Sequence, residues 1–210
     1  MKQIKLLLLI CCLATVIVGC KQPTDKELYY KVQKRLGELE SYSCNAIIYV
    51  HSDNVENKYV FKQFFKFPNS YRLEVTSPEN LKGNLTISNG KKAWILHPSI
   101  NQVWKLESFE QSQEQMMFIG YFMQNFYNTE EAVISSDKLD NRHYVIIETP
   151  IPGGNQYFDK QRLWVDSKSL EPYQMHIIDE KGIIRFRVYY EDFELNPRLE
   201  NELFFLWSKE

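Results

Sequence analysis

A chain of 210 residues with 25 lysines and arginines against 27 aspartates and glutamates carries a formal charge of -2. That balance excludes the broadly basic surface that nucleic acid or an anionic bilayer selects, so no nucleic-acid partner is expected. With 44% hydrophobic and 25% charged residues, a chain of this length can bury one core without metal or disulfide staples.

The first twenty residues read as a leader. Lys2 and Lys5 precede an apolar run from Leu6 to Val18, which ends at Gly19 and Cys20 before polar Lys21, Gln22 and Pro23. The run is short for a membrane span, which needs about 20 apolar residues, and it resembles a bacterial lipobox. Residues 1–19 are therefore expected to be a lipoprotein signal peptide. Residues 20–23 are a lipidated cysteine and short tether, and residues 24–210 one domain. Cys20 is the predicted lipid attachment site, holding the chain by palmitate-type acyl groups on the extracytoplasmic face of the cell membrane. Cys11 and Cys12 leave with the leader, so Cys44 is the remaining thiol and no intramolecular disulfide can form. It reads as a small buried hydrophobe on a strand.

Behind the tether, Thr24 and Glu27 make a capping-box pair. Leu28, Val32, Leu36 and Leu39 then line one face of a helix, with Lys26, Lys31, Lys34 and Arg35 pointing elsewhere. From Ser43 the period becomes two: Cys44, Ala46, Ile48 and Val50 alternate with polar neighbours. Tyr59, Phe61, Phe65 and Phe67 oppose Lys58, Lys62 and Lys66, and Tyr71, Leu73 and Val75 follow. Leu85 and Ile87 run into Asn89-Gly90, a two-residue hairpin signal, then Trp94 and Leu96. Pro98 to Asn101 form a turn before Val103, Trp104 and Leu106. Glu110 to Tyr127 reads as a second helix with a wide apolar side built from Met116, Met117, Ile119, Phe122, Met123 and Phe126. Strands resume at Ala132–Ile134, Tyr144–Ile147, Leu163–Val165 and Tyr173–Ile178, with Ile151 to Asn155 as a Pro/Gly-rich loop. The Lys181-Gly182 turn leads to Ile184, Phe186, Val188 and Tyr190. The fold class is mainly β (α+β): a half-open antiparallel β-barrel of about ten strands with an N-terminal helix and a second, plug helix.

Residues for catalysis do not gather. His51, His97, His143 and His176 fall on different predicted strands, and there is no His-Glu-x-x-His helix, Gly-x-Ser-x-Gly elbow or Cys-x-x-Cys pair. No metal, cofactor or catalytic residue is expected, and the chain reads as no enzyme. The carboxylate pairs Glu130-Glu131, Asp179-Glu180 and Glu191-Asp192 read as solvated turns. Trp94, Trp104 and Trp164 alternate with apolar residues and read as core. The methionine-rich second helix has two readings of equal standing: a permanent plug, which makes the protein a binding scaffold, or a swinging lid over a cavity for lipid.

The segment from Phe64 through Val75, the word Ser77-Pro78-Glu79-Asn80-Leu81-Lys82-Gly83, and Ile87 through Trp94 with Pro98 through Val103 resemble the LolA/LolB superfamily of lipoprotein carriers. Among its lipidated members, the clostridial germination lipoproteins are most similar. The resemblance implies a half-open barrel with an apolar interior and no catalysis. It further implies a membrane-anchored lipoprotein required for spore germination, acting at the forespore membrane by binding a cortex-modifying peptidoglycan amidase (an N-acetylmuramoyl-L-alanine amidase). The alternative it implies is a carrier or receptor that holds acyl chains in the cavity. Pro78 to Gly83 and Ile151 to Tyr157 are the loops expected to meet a partner, and a homodimer through an edge strand is a further arrangement the sheet permits.

Overall fold

The computed structural model describes residues 24–52, 55–107 and 113–206. Helix α1 (Asp25–Gly37) leads into β1 (Ser41–Ser52), β2 (Val55–Lys66), β3 (Ser70–Ser77), β4 (Leu85–Asn89), β5 (Ala93–His97) and β6 (Gln102–Leu106). Helix α2 (Ile119–Tyr127) precedes β7 (Val133–Leu139), β8 (Arg142–Asn155), β9 (Phe158–Asp166), β10 (Pro172–Ile178) and β11 (Ile184–Leu195). The eleven strands form one antiparallel sheet in the order β6-β5-β4-β3-β2-β1-β11-β10-β9-β8-β7. Two meanders are thus zipped together by pairing β1 with the last strand, β11. The sheet keeps two free edges, so the barrel is half open, as expected.

Period-two alternation sets which side chains face inward. Tyr42, Cys44, Ala46 and Ile48 of β1, Phe65 of β2, Tyr71 and Leu73 of β3, and Leu163, Val165, Met175, Ile177 and Val188 of the second meander share one core. Both helices join it. Helix α1 starts at the Thr24–Glu27 capping box and buries Val32 and Leu36. A second, smaller cluster lies on the opposite face of β4 and β5, where Phe204 of the C-terminal 3-10 turn covers Leu85 and Ile87.

Several expectations are corrected. The second helix is shorter than 110–127: Gln113–Met117 form a 3-10 turn, Phe118 is extended, and the α-helix runs only from Ile119, while residues 110–112 lie outside the described residues. Ile151 to Asn155 belong to β8 rather than to a loop, since Asn155 pairs with Phe158 after an irregularity that begins at Pro150. A proline is tolerated where the ladder asks for no N–H. The β4–β5 connection is three residues, Gly90 to Lys92, rather than two, with the Asn89 carboxamide accepting from the Lys91 and Lys92 amides. Phe67 falls beyond the end of β2 and is exposed, as is Trp104 on edge strand β6, while Trp94 and Trp164 are half-buried. A sheet edge has no neighbour to cover its rings.

Candidate functional site

The mouth of the half-barrel is closed by the segment Gln115 to Tyr127, and what holds it there is polar as much as apolar. On the inward rows of the strands, the residues that break the hydrophobic pattern include Tyr42, Gln63, Gln161 and Tyr190, all buried. The Tyr42 hydroxyl donates to Gln63 Oε1 at 2.8 Å and accepts from the Ile119 amide at 3.1 Å. Gln63 Nε2 and the Tyr190 hydroxyl both donate to the Met117 carbonyl, at 3.3 and 2.9 Å. Gln161 Nε2 donates to the Met116 carbonyl at 2.7 Å, and Asn125 Nδ2 returns a bond to Gln161 Oε1 at 2.7 Å.

These bonds explain the break in the helix. The carbonyls of Met116 and Met117 are taken by strand side chains instead of by the next helical turn, and the first amide of α2 is capped by a tyrosine from the sheet. Burial pushes the Tyr42 and Tyr190 phenols well above their ordinary pKa, so both remain donors. Burial likewise raises the Cys44 thiol, whose Sγ lies 3.7 Å from Gln63 Oε1; it is an inert part of this cluster, as its sequence reading expected.

The rim adds a second set. Gln124 Nε2 donates to the Pro68 carbonyl at 2.6 Å and to Asn69 Oδ1 at 3.1 Å, and the Tyr121 hydroxyl donates to the Asn69 carbonyl at 3.3 Å. The helix approaches so closely that a Cβ on Gly120 would stand 2.1 Å from the Phe65 ring. That ring is fully buried and hemmed by Tyr42, Phe118 and Tyr121. A lid that swings would have to leave these buried donors and acceptors unpaired, at about 1–3 kcal/mol each. The plug is fixed.

Other predicted residues stay apart. His51 pairs with Glu56 on an exposed hairpin, His97 packs on Trp104, His143 is exposed and His176 is buried on the outer face. Among the described residues no group of three His, Cys, Asp or Glu could hold a metal. Asp179 corrects the solvated reading of the carboxylates. It is buried and accepts from the Lys181 and Ile183 amides and from Arg185. Burial works to raise its pKa, but the Ile183 and Arg185 hydrogen bonds outweigh it and hold the carboxyl below the usual range. Glu130, Glu131, Glu191 and Asp192 are exposed. Cys20 lies outside the described residues. The signal for the lock was a glutamine between Phe61 and Phe65, on the inward parity of an otherwise aromatic row.

Fold and site together define a plugged antiparallel half-barrel, its interior occupied by its own helix. The chain belongs to the YdcC-like sporulation protein family, which it matches over residues 1–204. It is 21% identical over 209 residues to the sporulation protein YdcC of Bacillus subtilis (strain 168), covering 97% of this chain and 61% of that protein. It therefore spans less than two thirds of that relative's length. A chain of the structure of the CwlD amidase from Clostridioides difficile in complex with the GerS lipoprotein aligns at TM-score 0.52 with 33% identity, covering 85% of this chain and 100% of that one. An uncharacterized conserved protein from Thermus thermophilus shares the fold, at TM-score 0.55 and 14% identity over 88% of this chain and 94% of its own. No helix among the described residues is long and apolar enough to cross a membrane.

Proposed function

We propose that this protein is a non-catalytic, lipid-anchored extracytoplasmic protein of sporulating cells that acts in spore germination by binding a peptidoglycan amidase. The reading rests on one observation. The chain covers the whole of a protein at 33% identity in a structure that pairs an amidase with a lipoprotein, and we take the lipoprotein to be the matching partner. Membership of a sporulation family agrees with that role. The bolted plug supports a scaffold over a carrier, because its interior is committed to side chains. Anchorage through Cys20 after removal of residues 1–19 would hold the scaffold at the forespore membrane, with residues 24–210 as the binding domain.

Co-purification of the lipidated chain with N-acetylmuramoyl-L-alanine amidases, followed by amidase assay with and without it, tests the proposal. Binding and a rise in activity are expected. No binding, together with normally modified cortex in spores of a deletion strain, overturns it. The carrier reading is favoured by one feature: Val50, Phe61, Ile151, Phe158 and Phe186 are only partly buried against the core. Native mass spectrometry of protein taken from membranes decides that point, since a carrier would retain acyl lipid beyond its own anchor.

A further inference from the structure

The solvent side of α1 is more basic than the protein that carries it. At about 100° per residue, Lys34 lies some 160° from both Val32 and Leu36, the two residues this helix buries. Tyr30 and Lys26 precede it at successive four-residue steps, and Lys31 flanks them; all four are exposed. Tyr30 is 57% exposed, with Lys26 Nζ 6.0 Å from its ring centroid. Tyr127, 56% exposed, extends the row at the far end, where its hydroxyl would meet a Cβ on Gly37 at 3.0 Å. Glu27 shares this side, but its carboxylate is engaged at the N-cap by the Thr24 amide at 2.8 Å, and Glu38 is within 3.9 Å of Arg35. Three lysines around an exposed tyrosine thus stand out from a chain of net charge -2.

Position gives the face its partner. Four residues, Lys21 to Thr24, separate Cys20 from α1, and an extended chain of that length reaches at most about 17 Å. We propose that the outward face of α1 (Lys26, Tyr30, Lys31 and Lys34) rests on the anionic phospholipid headgroups of the membrane that holds the chain; this builds on the anchoring of Cys20 argued above. Lysines attract anionic headgroups over a Debye length, and tyrosine is at home at the level of the headgroups. The acyl group holds the chain to the bilayer while this face fixes its tilt.

The test uses the lipidated full-length product in vesicles containing phosphatidylglycerol and in vesicles of phosphatidylcholine alone. Flotation reports the anchor, and amine acetylation read by mass spectrometry reports the face. Taking about fivefold per lysine for headgroup attraction at low salt, acetylation of Lys26, Lys31 and Lys34 slows about tenfold or more in anionic vesicles, while exposed Lys168 and Lys181 are unchanged. The Lys26→Glu/Lys34→Glu variant, altered only at exposed sites, floats equally well but loses the protection of Lys31. Flotation with no selective protection, or equal protection in phosphatidylcholine, overturns the headgroup contact and leaves the anchor standing. Absence of flotation from both vesicle types overturns both.

Discussion

Replacing Gly120 by alanine puts one methyl group where the structure has no room for it. The added Cβ would sit 2.1 Å from the Phe65 ring, and that ring cannot yield because Tyr42 lies 5.6 Å away on one side and Tyr121 5.7 Å on another. Overpacking of this kind costs about 1–3 kcal/mol, here at the upper end, and the better helix propensity of alanine returns about 1 kcal/mol. A net loss of about 2 kcal/mol is expected from urea denaturation. Phe65→Ala alone should cost about 3–5 kcal/mol, as for other fully buried rings. In the double variant the clash has gone, so adding Gly120→Ala to Phe65→Ala should cost nothing or stabilise by about 1 kcal/mol. If Gly120→Ala costs the same in both backgrounds, the close approach of α2 to β2 is wrong.

Three further outcomes are expected. His176 is buried with neither ring nitrogen hydrogen-bonded among the described residues; burial first, then Arg187 and Arg162, lower its pKa to about 4. Since an unfolded histidine titrates near 6.5, the unfolded state takes up the proton first, so stability should fall as pH drops from about 6.5 to 4 by up to roughly 3 kcal/mol. His176→Leu should flatten that part of the stability–pH curve, and an unchanged slope would show that another group is responsible. Gln63→Leu removes the acceptor of the Tyr42 hydroxyl and a donor to the Met117 carbonyl and should cost about 1–3 kcal/mol in denaturant. Adding Tyr42→Phe should cost less than the sum of the two single changes. Cys20→Ala should abolish fatty-acid labelling and release the chain from membranes on fractionation; equal labelling of both forms would place the lipid elsewhere.

The sheet was legible because its inward rows are chemically continuous. Cys44, Ala46 and Ile48, or Tyr71 and Leu73, announce a strand with one dry face, and the structure buries all five. The Lys181-Gly182 turn was legible too, and Gly182 has the positive φ of 81° that favours glycine there. Residues 151–155 were misread because proline and glycine usually punctuate, and only the presence of β9 alongside reveals that β8 continues. Trp104 looked like core since alternation describes a face and says nothing of whether anything covers it.

By itself, the sequence determined two meanders of amphipathic strands, a capped N-terminal helix and the composition of an apolar plug, all set by local period and side-chain chemistry. It could not determine what holds the plug in place. That was decided by the pairing of β1 with β11, which brings Gln63 and Tyr190 to the Met117 carbonyl, beside Tyr42 on the Ile119 amide and Gln161 on the Met116 carbonyl, residues far apart in the chain. A hydrogen bond needs its donor and acceptor within about 3 Å, and only the paired sheet supplies that proximity, turning these polar interruptions of the pattern into the bolts of one helix.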